Sequence, residues 1–153
     1  MKLAPTLVLL VVSLSSPVVA QDRSADETAI RDLIAKEDAG RRAEVRSTED
    51  LVFWSGAYVR PFVGKEKGEV RPGSSAGQRT NETRQTTVRL LRVSPAGEMA
   101  YEHSLVRQSW DRTDTKQHVE FEAALLRVWV KEQNQWKVAA FFQRPIENTP
   151  STR

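Results

Sequence analysis

The sequence predicts an α+β fold: one N-terminal helix packed on a strongly curved antiparallel sheet, together forming a cone. Three observations carry this. The stretch from Thr83 to Arg144 divides into four long runs of strand-forming residues with short polar connections. A single helical pattern, Ser24 to about Gly40, stands in front of them. Neither face of the expected sheet is cleanly polar, so both call for a cover.

The chain opens on a segment that is not expected to join the fold. Lys2 supplies a positive start, Leu7 to Val12 a short apolar run, and Val18-Val-Ala20 the small residues of a cleavage site. The apolar run falls short of the roughly 20 residues a membrane-spanning helix needs. Residues 1–20 therefore read as a secretory signal peptide and 21–153 as a single domain. The expected location is outside the cytoplasm, periplasmic or secreted, with no membrane span after cleavage.

In the helical segment, Ser24 and Glu27 have the spacing of a capping box. Ile30, Leu33, Ile34 and Glu37 follow on one face, and Gly40 suits the C-terminal stop. Arg41 to Thr48 has room for a short second helix. Leu51 to Trp54 is a short strand, Ser55-Gly56 a turn, and Ala57 to Val63 a second strand that Pro61 consigns to an edge. Gly64 to Val70 has room for one helical turn, and Arg71 to Asn81 reads as a loop. The four long strands then run Thr83 to Val93, Glu98 to Trp110, His118 to Val130 and Trp136 to Arg144. Their short connections make all three pairings antiparallel.

Composition excludes more than it identifies. With no Cys, neither disulfides nor a thiolate zinc site is available. His103 and His118 are the only histidines, and no close carboxylate pair completes a ligand set, so no metal or other cofactor is expected. The net charge of +3 comes from scattered Lys and Arg interleaved with Asp and Glu. That is a mixed solvated surface, not the clustered basic face of a nucleic-acid binder.

Register supplies a candidate site. A last turn centred on Gln133-Asn134 sets Ala124 opposite Gln143. Symmetric closure of the Asp111 to Gln117 loop sets His103 opposite Ala124 and Arg107 opposite Glu120. Face one then carries Tyr101, His103, Glu122, Phe141 and Gln143 together, and face two carries Ala100, Phe121, Leu125, Trp129, Val138 and Phe142. Cross-strand neighbours lie about 5 Å apart, so His103, Glu122 and Gln143 would form a polar patch beside Tyr101. A His near neutrality and a partly desolvated Glu are an acid/base pair in kind. Trp54 and Tyr58, near the mouth of the cone, are candidates for lining a pocket.

Four features together resemble the nuclear transport factor 2-like superfamily, in its SnoaL-like and SgcJ/EcaC-like bacterial branch. They are the N-terminal helix, the Glu49-Asp-Leu-Val-Phe-Trp54 strand, the Val63-Gly-Lys-Glu66 turn and the last strand beginning Trp136-Lys-Val-Ala-Ala-Phe141. The resemblance covers the chain after residue 20. It implies a cone fold with a pocket, in a superfamily of isomerases, dehydratases, epoxide hydrolases, cyclases and transport adaptors. The final-strand acid of some polyketide cyclases is absent between Trp136 and Arg144.

The expected function is that of an exported domain, dimeric with a second copy, that binds a small and largely apolar molecule. The alternatives are an enzyme of isomerase, dehydratase or hydrolase type using His103 and Glu122, and a homodimeric protein-interaction module. No motif in the chain dictates a reaction.

Overall fold

Ile30, Leu33 and Ile34 recur on one stripe, and the helix that presents them is α1, Arg23–Asp38. It ends as the sequence dictates. Gly40 takes φ +79°, its N–H bonds to the Glu37 carbonyl at 3.0 Å, and the Arg41 N–H reaches back to Lys36 at 2.8 Å. These are the two bonds of a Schellman stop. Ser24 lies inside the helix, where its carbonyl accepts a bond from the Thr28 hydroxyl at 2.8 Å. The computed structural model describes residues 23–74 and 78–146, so the expected signal peptide lies outside the described residues.

A 3-10 turn, Arg42–Glu44, leads into β1, Ser47–Ser55. The expected second strand shrinks to β2, Phe62–Val63, plus an isolated Tyr58–Val70 bridge. The Gly64 to Val70 segment forms a turn and extended chain in place of a helical turn. Gly64 is required there. It takes φ +55°, and a Cβ on it would lie 2.4 Å from the Glu49 carbonyl oxygen. The long strands follow as β3 (Arg79–Val93), β4 (Met99–Arg112), β5 (His118–Glu132) and β6 (Gln135–Pro145).

The sheet order is β2-β1-β6-β5-β4-β3. The four long strands pair antiparallel, as their short connections require, while β1 lies parallel to β6 and makes the sheet mixed. α1 packs on one face, and the core there gathers Ile30, Ile34, Leu91, Val93, Ala100, Trp129, Trp136 and Val138. Along β4 burial alternates strictly from Met99 to Trp110, so Ala100, Glu102, Ser104, Val106, Gln108 and Trp110 face inward. Met99, Tyr101, His103 and Arg107 face outward and are exposed.

Two departures from the expected register matter. The β4–β5 loop closes one residue later than symmetry predicts, with Lys116 at φ +58° and the Arg112 N–H on the Gln117 carbonyl. His103 therefore pairs with Leu126, and Arg107 with Glu122 rather than Glu120. In β6 the turn is centred as expected, with Gln133 and Asn134 at φ +51° and +60°. That is the mirror-image turn that two-residue hairpins favour. The pairing then slips by one between Val128 and Trp129, where Trp129 meets Val138 but Val128 meets Ala140. This β-bulge at Ala139 sends Phe141 and Gln143 to the inner face and Ala140 and Phe142 to the outer one.

The inner face holds a buried charge network under α1. Arg127, 1 % exposed, donates Nε to Glu102 Oε2 at 2.9 Å and Nη2 to Glu102 Oε1 at 3.0 Å. Its Nη1 donates to Glu37 Oε2 at 2.7 Å. Glu102 also accepts from Ser104 Oγ at 2.6 Å and Trp129 Nε1 at 3.0 Å. Burial alone would lower the Arg127 pKa, but Glu102 and Glu37 outweigh it and the net shift is upward. At the other end of the helix, buried Asp26 accepts from Lys131 and from Trp136 Nε1. Both ends of α1 are thus tied to β5 by charge.

Candidate functional site

Between the last turn of α1 and the inner face of the sheet lies a cavity of about 790 Å³. Small-molecule pockets typically fall at roughly 300–1,000 Å³. Its apolar wall is built by alternation. Phe53 on β1 and Phe141 on β6 are paired across the parallel ladder, and their rings stack at 4.8 Å with 3° between planes. Tyr58 meets the edge of Phe53 at 5.7 Å. On the facing side Trp110 and Phe121 contact edge to face at 5.2 Å. Leu51, Val119 and Val138 complete this surface.

Polar groups are also numerous on the wall, with Arg, Glu, Gln and Ser residues among the lining. Gln143 Nε2 donates to Gln108 Oε1 at 3.1 Å, a bridge across β5 between two inward amides. Glu37 lines the cavity while its Oε2 holds Arg127. Arg84 stands beside it, 3.5 Å from Glu37 Oε2 and 3.4 Å from Asp38 Oδ1, without hydrogen-bond geometry in either contact. Burial pushes the Arg84 pKa down, opposed by Glu37 and reinforced by Arg127.

The structure separates the residues that the sequence placed together. Tyr58 and Gln143 line the cavity. Tyr101, His103 and Glu122 lie on the outer face, where Tyr101 is 47 % exposed and Glu122 faces Arg107 at 3.5 Å. Trp54 is also outward, paired with Phe142, its ring 5.7 Å from the Arg144 guanidinium. The His103–Glu122–Gln143 patch therefore does not assemble. β4 and β5 keep the expected parity, and the bulge in β6 carries Gln143, with Phe141, to the other side. The expected pocket face is the outer one, and the cavity opens on the inner one.

Sequence reasoning missed Phe53, Gln108, Trp110, Phe121 and Phe141 as wall residues. One signal was available. Glu102 and Arg127 carry opposite charges at paired inward positions of two adjacent strands, beside Ala100, Leu125 and Trp129. Buried charges of that kind occur in pairs.

The helix, the curved sheet and the cavity between them define the nuclear transport factor 2-like fold. No protein-family model and no curated protein matches the sequence. Solved structures do match. A conserved protein from Planctomyces limnophilus is similar at 19 % identity and TM-score 0.63, over 81 % of this chain and 98 % of that one. A ketosteroid isomerase-like protein from Erwinia carotovora atroseptica gives 14 %, 0.60, 82 % and 97 %. A hexachlorocyclohexane dehydrochlorinase from Novosphingobium barchaimii gives 17 %, 0.58, 83 % and 94 %.

Proposed function

We propose that this chain is an exported protein that binds a small, largely apolar molecule in the cavity beneath α1. The stacked Phe53–Phe141 pair in a cavity of about 790 Å³ carries this reading. Both rings line that cavity, as do the Gln108 and Gln143 amides. That similar folds include an isomerase-like protein and a dehydrochlorinase adds support for small-molecule handling. Export rests on the pattern in residues 1–20 alone.

The test uses N-phenyl-1-naphthylamine, a neutral apolar dye that fluoresces when shielded from water. The protein is expected to bind it, and Phe53→Ala to weaken binding by about tenfold, as truncation of a central aromatic anchor does. Unchanged affinity in Phe53→Ala would remove the cavity from consideration. Chromatography of a bound compound before and after incubation separates a binder from an isomerase, dehydratase or hydrolase. For such an enzyme Glu37 and Glu82, not His103 or Glu122, are the carboxylates on the cavity wall.

Exposed apolar side chains on the outer face support the homodimer expectation. Met99, Tyr101 and Leu126 are 49 %, 47 % and 44 % exposed on neighbouring strands, while Phe121, Leu125 and Trp129 belong to the inner face. Sedimentation at micromolar concentration is expected to find a dimer, and Leu126→Arg a monomer that keeps its far-UV circular dichroism. A wild-type monomer would reject this interface. An interaction module would use the same face.

A further inference from the structure

We propose that the ligand is a neutral molecule with an N–H donor beside a C=O acceptor, a lactam, imide or simple amide on an apolar body, and that the amides of Gln108 and Gln143 recognise that edge. The inference deepens the ligand-binding reading above and rests on it.

Gln108 on β4 and Gln143 on β6 are 7 % and 8 % exposed, and both line the cavity. Strand β5 separates their backbones. Gln108 stands opposite Phe121 and Gln143 opposite Leu125, so Ala123 lies on the diagonal between them. The small side chain of Ala123, itself wholly buried, leaves the two amides room to meet above β5.

The meeting is incomplete. Gln143 Nε2 donates to Gln108 Oε1 at 3.1 Å. The return bond from Gln108 Nε2 to Gln143 Oε1 is not formed, and neither of these atoms has a partner among the described residues. Turning both amides over together reverses the bond and again leaves one N–H and one C=O open. Buried polar groups are nearly always hydrogen-bonded, and a ligand edge that accepts from the one and donates to the other satisfies both. Because each amide is already held by its neighbour, little further ordering is needed to bind.

The ionic groups of the wall argue for a neutral ligand. Arg42 is paired with Glu82, Arg112 with Asp114, and Arg127 with Glu37 and Glu102. Arg84 stands within 3.5 Å of Glu37 and Asp38. A charged ligand group would compete with these pairs, and an amide would not. The rings of Phe53, Phe141 and Phe121 offer apolar surface to the rest of the molecule.

Two probes that differ at one ring position provide the test: 2-quinolone, a lactam, and coumarin, the lactone in which oxygen replaces the N–H. Displacement of N-phenyl-1-naphthylamine reads the affinity of each. 2-Quinolone is expected to bind about tenfold more tightly than coumarin, the scale of one hydrogen bond left unmade in a buried site. Gln108→Leu and Gln143→Leu are each expected to reduce that preference to about twofold or less while the dye's own affinity stays within about threefold. Arg107→Gln, on the outer face, is expected to alter neither. Circular dichroism checks each fold. If neither Leu variant folds, the unmodified protein still decides, because 1-methyl-2-quinolone, its N–H blocked, must bind no better than coumarin. Equal affinity for 2-quinolone and coumarin, displacement of the dye by neither, or a preference indifferent to both Leu variants would overturn the amide site and leave the cavity standing. Failure of the dye itself to bind would overturn the ligand-binding reading.

Discussion

Glu102→Ala is expected to lower the unfolding free energy by about 3–5 kcal/mol, the cost of breaking a buried ion pair from one side. Glu102 is wholly buried and accepts four hydrogen bonds: two from Arg127, one from Ser104 and one from Trp129. Removing the carboxylate strands a guanidinium that is itself 1 % exposed, and Glu37 then remains as its hydrogen-bonding acid. The indole N–H of Trp129 loses its acceptor as well. Denaturant unfolding measures the loss. Glu102→Leu combined with Arg127→Met should recover part of it, because the charge then leaves together with its partner. A loss in Glu102→Ala below about 1 kcal/mol would show the network to be peripheral to stability. The network also matters to the site, since Arg127 and Glu37 both line the cavity wall.

Much of this fold was legible in the sequence because its contacts are local. The α1 stop at Gly40, the hairpin turn at Gln133-Asn134 and most of the four long strands follow from propensities within a few residues, although β3 begins at Arg79, inside the stretch expected to be a loop. The site was less legible because it depends on register over distance. One extra residue at Ala139 inverts Phe141 and Gln143 relative to Val138, and nothing in Val138-Ala-Ala-Phe141 marks which residue bulges. The bulge lies where β6 also takes on β1 as a parallel neighbour, with its own register shift between Ser47 and Val52. A pairing between residues some ninety positions apart leaves no local trace. Glu102 and Arg127 were hidden for a different reason. Charged residues in a strand read as solvent-facing until the opposing strand supplies the counter-charge.

Ile30→Ala is expected to cost about 2–5 kcal/mol, and Ile30→Val about 0.5–1.5 kcal/mol. Ile30 has no exposed surface and belongs to the core with Leu91, Trp129 and Val138. α1 is the one α-helix among the described residues, so no neighbouring helix can shift to fill the space left. Its remaining anchors are Ile34, the Asp26 bonds at one end and the Glu37 and Asp38 bonds at the other. Those charged ties depend on desolvation by the helix, so they weaken as it loosens. The penalty should thus lie toward the upper end of the range. Val63→Ala, on exposed edge strand β2, provides the contrast and should stay within about 0.5 kcal/mol of the starting protein. Urea midpoints at constant slope measure all three. Equal midpoints for Ile30→Ala and Val63→Ala would mean that the helix contributes little to holding the sheet.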